Sequence, residues 1–308
     1  MNYTLHQLKV FITVAEQLSI TKAAEALHLT QPAVSIQLKN FQDQFPLALT
    51  EVLGKKLFLT DFGKEILETS KRIINEAEKI NDSVNRYNGQ ISGTLKVSVV
   101  STGKYVMPYF LNEFLDQHPA VNLKMDVTNK AQVIESLDSN QVDFSLVSIL
   151  PERMTLETIP LMQNKLYVVG SPEYIEKYPI RKIDDLAKSQ LIFRENGSGT
   201  RQTIERFTSF NNIIIQKSME LTSNEAVKQA VIAGLGYSIM PLIGIKNELE
   251  LNTLKIIPLK GFPLTSQWQL VWQKNKRFSL AAQAYINYLQ EKRSDIISSK
   301  FEWYEAYH

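Results

Sequence analysis

The chain has 308 residues, 34 of them Lys or Arg and 32 Asp or Glu, for a formal charge of +2. Hydrophobic residues make up 44% and charged residues 21%, a globular composition that excludes a disordered tail, a collagen and a disulfide scaffold. Cysteine is absent, which excludes thiol chemistry and cysteine-ligated zinc or iron–sulfur centres, and the balanced charge gives no basic footprint of the kind nucleic-acid binders usually carry.

At ~150 residues per domain, this length predicts two to three domains. Asn2, His6, Gln7 and Lys9 interrupt the N-terminus, so no apolar leader is legible. The longest apolar runs, such as 97–100 and 213–215, are far too short to span a bilayer. The expectation is a cytoplasmic protein with no membrane partner.

The first sixty residues read as short helices. Leu5, Leu8, Phe11, Ile12 and Ala15 recur at helical spacing, so one face is buried. Ser19 or Thr21 can cap a second helix carrying Ala23, Ala24 and Leu27, and the paired alanines let another helix approach. After a brief turn at His28-Leu29, Thr30 is a good N-cap and Pro32 is tolerated in the first turn. A third helix runs through Val34, Ile36, Leu38 and Phe41, with Pro46 as a stop. Two short helices joined by a tight turn form a helix-turn-helix pattern, although spacing alone also fits any small helical bundle. Gly54-Lys55-Lys56 between apolar runs predicts a β-hairpin wing, with the lysines at its tip or on its second strand.

Ile66, Ser70, Ile73, Ala77, Ile80, Val84 and Tyr87 step 4-3-4-3-4-3, a heptad seam. Asp61 can cap this helix and Asn88-Gly89 marks its end. So narrow a seam predicts pairing with a second copy; the alternative is packing on the chain's own body. Beyond Gly93 the texture changes. Strands are predicted over 95–100, 121–127 and 142–147, alternating with helices at 108–117 and 132–137. The rhythm recurs with strands at 166–169, 218–221, 237–240 and 267–272 and helices at 200–210, 225–233 and 280–291. Alternation of this kind predicts a mainly parallel sheet covered by helices, in two subdomains with a ligand-binding cleft between them.

The run from Ser19 to Ser35, SITKAAEALHLTQPAVS, resembles the helix-turn-helix signature of LysR-type transcriptional regulators. The resemblance extends over the whole chain, through Val142-Asp143-Phe144 and the 233–241 run AGLGYSIMP. RENGSGTR at 194–201 and SNEAVKQA at 223–230 resemble the branch containing carbon-fixation and sulfur-assimilation regulators. The implied fold class is mixed: an N-terminal all-α winged helix-turn-helix over 1–60, a dimerisation linker helix and hinge over 61–92, and a two-lobed α/β effector-binding domain of the periplasmic-binding-protein type over 93–308. Lobe I takes about 93–163 and 267–308, and lobe II about 164–266.

The resemblance implies a recognition helix in the major groove of promoter DNA. Carried onto this chain, Gln31, Pro32 and Ser35 face base edges, Thr30, Gln37 and Lys39 position the backbone, and Lys55 and Lys56 of the wing contact phosphate. Glutamine can pair bidentately with adenine, serine accommodates several bases, and a capped helix end favours phosphate. The chain departs from the family at Ile36, where arginine is usual, and at Thr50 and Val52, where phenylalanine and arginine are common. Phe45-Pro46 replaces a common Leu-Gly. Residues 1–60 hold Lys9, Lys22, Lys39, Lys55 and Lys56 against Glu16, Glu25, Asp43 and Glu51. So few cations predict reliance on tetramer avidity and base contacts over bulk electrostatics.

Three small polar clusters stand at predicted helix starts: Ser101-Thr102-Gly103, Thr128-Asn129 and Gly197-Ser198-Gly199-Thr200. Exposed N–H groups and hydroxyls at helix N-termini favour anions, and Arg201 could add charge. The alternative for any one of these residues is plain helix capping. By resemblance, Ser101, Thr102, Gly103, Asn129, Ser198, Gly199, Thr200 and Arg201 line the effector cleft; the clustered helix starts predict a small anionic metabolite as effector, for instance a phosphorylated one or a sulfur oxyanion. The family mechanism has paired linker helices giving a dimer, effector halves giving a tetramer, and ligand closing the cleft to alter DNA bending and RNA polymerase contact. Asp143 and Glu225 are expected to be structural caps or surface residues.

Other chemistry is poorly supported. His6, His28, His118 and His308 show no metal-ligand spacing, Gly197-x-Gly199 lacks a P-loop lysine, and Gly234-x-Gly236 lacks the third glycine of a dinucleotide site. No cofactor, metal or catalytic constellation is expected. A solute-binding protein on the same scaffold would have no use for residues 1–90, and an α/β enzyme such as a deaminase or lyase needs a nucleophile–base pair that is not legible.

Overall fold

The computed structural model describes residues 2–54, 56–87 and 90–307, with side chains of 78–87 outside the description. Lys55, Asn88-Gly89 and the side chains of Ile80, Val84 and Tyr87 therefore lie outside the described residues. The chain divides into two compact units, Met1–Gln90 and Ile91–His308. Among the described residues, no helix is long and apolar enough to cross a membrane.

In the first unit, α1 (Leu5–Gln17) starts in a capping box between Thr4 and Gln7. Ser19, rather than Thr21, caps α2 (Ile20–Leu27), and the left-handed His28 ends it. Thr30 caps α3 (Gln31–Gln42), accepting the Ala33 N–H, with Pro32 in the first turn. Leu8, Phe11, Val14, Ala23, Ala24, Val34, Leu38 and Phe41 form one buried core with Leu49. Phe45 lies among Tyr3, Phe41 and Phe62, with ring centroids 5.1–6.1 Å away, so the Phe45-Pro46 departure supplies aromatic packing below the wing.

The wing is the antiparallel hairpin β1 (Thr50–Leu53) and β2 (Lys56–Leu59), turning through Gly54 at φ +66. Thr50 donates its hydroxyl to Gln42 Oε1 (2.7 Å), and its N–H donates to the same oxygen (3.0 Å), tying the wing to the end of α3. The long helix α4 (Asp61–Tyr87) is capped by Thr60, whose hydroxyl accepts the Gly63 N–H; Asp61 is instead its first residue. A Cβ at Gly63 would sit 2.0 Å from Leu49 O, so only glycine lets α4 run this close under the wing.

The first half of α4 packs on α1. Leu67 and Ile74 join the core, and Lys71 pairs with Glu16 at 3.3 Å. Each buried aliphatic chain contributes about 1.5–3 kcal/mol. This corrects the expected seam at Ser70, which is 1% exposed within its own unit and is not available to a second copy. Ile66 also packs on that core, Ile73 stays exposed, and Ala77 is half-buried.

The second unit is α/β in two lobes. In lobe I, β3 (Gly93–Val100) pairs in parallel with β4 (Val121–Thr128) and β5 (Phe144–Val147), and α5 (Met107–Gln117) and α6 (Lys130–Asp138) provide the crossovers. The strand β6 (Leu156–Gly170) then runs out of lobe I, followed by α7 (Pro172–Lys177). Lobe II adds β7 (Gln190–Arg194), α8 (Gly199–Phe210), β8 (Lys217–Leu221), α9 (Asn224–Ile232), β9 (Ser238–Pro241), α10 (Lys246–Glu250) and β10 (Lys255–Ile256). β11 (Leu264–Gln273) returns antiparallel along β6, with a register break between Gln267 and Gln269. Finally α11 (Leu280–Lys300) covers lobe I, and α12 (Glu302–Glu305) ends the fold.

The sheets are mixed rather than mainly parallel. β3, β4 and β5 are parallel to one another, as are β7 and β8, but β6, β9, β10 and β11 are antiparallel additions. The cause is that β6 and β11 serve both lobes, so the chain crosses from one lobe to the other and back. This crossing places the ends of β3 and β7 face to face, with the starts of α6 and α8 beside them.

Candidate functional site

Two groups of predicted residues occupy different units. On the first, α3 buries Val34, Leu38 and Phe41. Gln31, Pro32, Ser35 and Lys39 are exposed, as is the cap Thr30, whereas Gln37 is half-buried. Lys56 is exposed on β2. Interleaved with the exposed apolar Pro32 and Ile36, the surface thus carries amide, hydroxyl and ammonium groups along one helix edge and the wing. Groups of these kinds hydrogen-bond base edges and phosphate oxygens.

The cleft of the second unit holds a cavity of about 10 Å³ lined by Val100, Ser101, Thr102, Asn129, Lys130, Ser148, Ser198, Gly199 and Thr200. Six of the eight residues expected there meet in it. The cavity has room for about one water molecule, so the lobes are in contact across it. Asn129 caps α6, its Oδ1 accepting the Gln132 N–H at 3.1 Å. Thr102 and Ser198, both nearly buried, stand at helix starts without capping through their side chains. Neither hydroxyl has a protein partner among the described residues, so both can serve a guest. The start of α8 adds backbone N–H groups and the positive end of a twelve-residue helix.

Two expected residues do not line this cavity. A Cβ on Gly103 would lie 2.8 Å from Leu146 Cδ2 and 3.1 Å from Val99 Cβ, so Gly103 is required by tight packing beneath the site. Arg201 lies over the Phe193 ring, and its guanidinium is held by Glu205 (2.7 Å), Glu220 and the Arg194 carbonyl. Its charge is already paired. It borders a wider cavity of about 320 Å³ outside the first, together with Lys130, Asn196, Gln202 and Glu205.

The cation that does line the inner cavity is Lys130, which the sequence reading missed. Its Nζ donates to Gln202 Oε1 at 2.7 Å, from α6 of one lobe to α8 of the other. Burial first, and then the Arg206 charge, lowers its pKa from the ordinary lysine value, with Glu152 opposing the shift. Ser148, just beyond β5, was missed too. No carboxylate lines the inner cavity.

Arg194 completes the inter-lobe contact. It is 4% exposed, and its Nε and Nη2 grip the Glu195 carboxylate at 2.8 Å each. Its Nη1 donates to Asn224 Oδ1 (2.6 Å) and, across the lobes, to Ser101 Oγ (2.9 Å). Asn224 Nδ2 donates to the same Ser101 oxygen at 3.1 Å. With both lone pairs of Ser101 accepting, its proton is left to donate. Ala131 N–H also reaches Gly197 O across the cleft at 3.3 Å. Asp143 accepts the Lys96 N–H at 2.8 Å within lobe I, and Glu225 pairs with Lys228, so neither faces the cavity.

Comparison with known proteins follows the same division. Residues 5–64 match the bacterial regulatory helix-turn-helix domain of the lysR family, and residues 88–294 match the LysR substrate binding domain. The chain is 39% identical over 286 residues to the RuBisCO operon transcriptional regulator of Allochromatium vinosum, covering 92% of this chain and 95% of that one. The CcmR regulatory domain of Synechocystis PCC6803 in complex with 2-PG shares 29% identity, covers 64% of this chain and 95% of that one, and superposes with a TM-score of 0.59. Full-length CbnR complexed with its target DNA shares the fold, with a TM-score of 0.68 at 21% identity over 93% of this chain and 99% of that one.

Proposed function

The chain belongs to the LysR family of DNA-binding transcriptional regulators, and we propose that it controls carbon-fixation promoters in response to a small organic phosphate held between its two lobes. The observation that carries the ligand class is the inner cavity. Hydroxyls from both lobes, the Lys130 ammonium and the start of α8 converge there with no carboxylate in the lining. Hydroxyl, ammonium and helix-start N–H donors with no carboxylate beside them select an anion. The carbon-fixation assignment draws on the RuBisCO operon regulator, and the phosphate on the 2-PG bound by the CcmR domain.

In this reading, residues 1–60 are the reader, 61–92 the pairing helix and 93–308 the sensor, divided into lobes near 163/164 and 266/267. Gln31 and Ser35 contact base edges, while Thr30, Lys39 and the wing lysines contact phosphates. Ser101, Thr102, Asn129, Lys130, Ser148, Ser198, Gly199 and Thr200 bind the effector. The protein works in the cytoplasm as a dimer or tetramer joined partly by the exposed part of the linker seam, and its response reaches RNA polymerase through DNA bending. Calorimetric titration of the full chain with 2-PG, inorganic phosphate and shikimate tests the sensor. The organic phosphate should bind tightest, and Lys130→Met should weaken it at least tenfold. Equal binding of the carboxylate shikimate and 2-PG would exclude selection for phosphate, and binding of a neutral polyol such as glycerol as tightly as 2-PG would exclude the anion site.

A further inference from the structure

Ile36 is a β-branched apolar residue standing 58% exposed in the middle of α3. The helix buries Val34, Leu38 and Phe41 and turns Gln31, Pro32, Ser35, Ile36 and Lys39 outward. Pro32 and Ile36 are one turn apart and make an apolar strip on that face, flanked by the Ser35 hydroxyl and the Lys39 ammonium. Ile36 is not there for the helix, because isoleucine is only a middling helix former and its exposed surface stabilises nothing in the unit itself. Nor is it part of the core, which lies on the opposite side.

A helix laid in the major groove faces a floor of donors and acceptors with one apolar group, the 5-methyl of thymine. Isoleucine offers no donor to guanine O6 or N7 and no acceptor to the amino groups of adenine or cytosine. Pressed against those groups, it would strip them of water without replacing the lost hydrogen bonds. Only the methyl edge gains from its contact. We infer that Ile36 is a base-specificity residue that packs on the 5-methyl of a thymine in each half-site. The inference rests on α3 entering the major groove, as proposed above, and deepens that reading to the level of one base.

The operator sequence need not be known for the test. Duplexes are selected from a random-sequence pool by the full-length protein, and each thymine of the selected site is replaced in turn by uracil, which removes the methyl and leaves the Watson–Crick pair. One position per half-site should lose about fourfold in affinity, the change expected when one methyl group is left out of an apolar contact. Replacing that thymine by 5-methylcytosine, with guanine opposite, should lose less than replacing it by cytosine. Ile36→Ala should bind the thymine and uracil duplexes equally, and Ile36→Arg should shift the selected base toward guanine. Because no phosphate contact is touched, Ile36→Ala should keep the wild-type salt slope. A uracil scan that is silent at every position, or a uracil penalty that persists in Ile36→Ala, overturns the thymine contact while leaving DNA binding by α3 intact. Failure of the wild-type protein to enrich any duplex overturns both. An Ile36→Ala variant that changes the oligomeric state and weakens all duplexes alike would assign the residue to a contact between copies instead.

Discussion

Arg194→Met should be among the most damaging single substitutions in the sensor unit. The guanidinium makes two bonds of 2.8 Å to Glu195, one of 2.6 Å to Asn224 and one of 2.9 Å to Ser101. Methionine fills similar volume but leaves the Glu195 carboxylate, 14% exposed, without its counter-charge. Breaking a buried pair from one side costs about 3–5 kcal/mol. The residual exposure of Glu195 puts the expected loss near the lower bound, about 3 kcal/mol. Trp268, Trp272 and Trp303 all lie in the second unit, so urea unfolding followed by tryptophan fluorescence reports that unit alone. The control is the double variant Arg194→Met, Glu195→Gln, which removes the stranded charge. It should recover at least about 1.5 kcal/mol relative to the sum of the single losses. A single-variant loss below about 1 kcal/mol, or additive losses, would mean that the pair is solvated and does not join the lobes as a charged unit.

Lys165→Met should loosen the C-terminus. The Lys165 ammonium donates to the carbonyls of Tyr304 (3.1 Å), Glu305 (3.3 Å) and Tyr307 (2.9 Å), and losing it costs about 2–3 kcal/mol with faster proteolysis beyond residue 300; an unchanged cleavage rate would refute the tether. Gly63→Ala forces a Cβ to 2.0 Å from a backbone oxygen and should destabilise the first unit by about 2–3 kcal/mol. DNA binding should fall while the tryptophan-reported unfolding midpoint stays constant; full retention of DNA binding would refute the close approach. Burial, aided by the neighbouring Tyr174, pushes the Tyr237 hydroxyl up to about 12. The folded state keeps a proton that the unfolded chain releases above the ordinary tyrosine value of 10.0, so this share of stability is intact below pH 10 and is lost between pH 10 and 12. Tyr237→Phe should flatten that decline in urea midpoints, with a remainder from Tyr288, also pushed up to about 12; an identical slope in the variant would refute the assignment.

The reader was legible because its local signals agree. Ser19, one of two candidates, and Thr30 accept N–H groups at their helix starts, and the apolar spacing of α1 and α3 gives most of the core, although Leu5 and Ile36, also in that spacing, stand exposed. The first half of β6 was not, because Pro160 interrupts its run and a proline counts against a strand. It is tolerated where the pairing with β11 slips beside Trp268. The hydroxyl clusters of the cleft could be read from helix starts. Lys130 also left a signal: a cation in the first turn of α6 opposes the helix dipole, which is costly unless something nearby uses the charge. Arg201 misled for the opposite reason. Its charge looked free in the sequence, but Glu205 lies one turn ahead on α8 and Glu220 on the adjacent β8.

The cleft contacts bear on how an effector could act. Lys130–Gln202, Ala131–Gly197 and the Ser101 bonds to Arg194 and Asn224 join the lobes directly. At about 0.5–1.5 kcal/mol net for each bond, they favour lobe contact by only a few kcal/mol. A cavity of about 10 Å³ cannot take an organic phosphate in this arrangement. On the proposed ligand reading, we expect an anion either to part the lobes here or to extend into the adjoining cavity of about 320 Å³, which shares Lys130 and Ser198, replacing protein–protein bonds with bonds from the same donors to the anion. Such an exchange shifts the lobe angle only by the difference in affinity between the two arrangements. Moving the population from 1:99 to 99:1 requires about 5.5 kcal/mol of that difference. The charged donor Lys130 is suited to supply much of it, because its present partner, Gln202, is neutral and a phosphate is not.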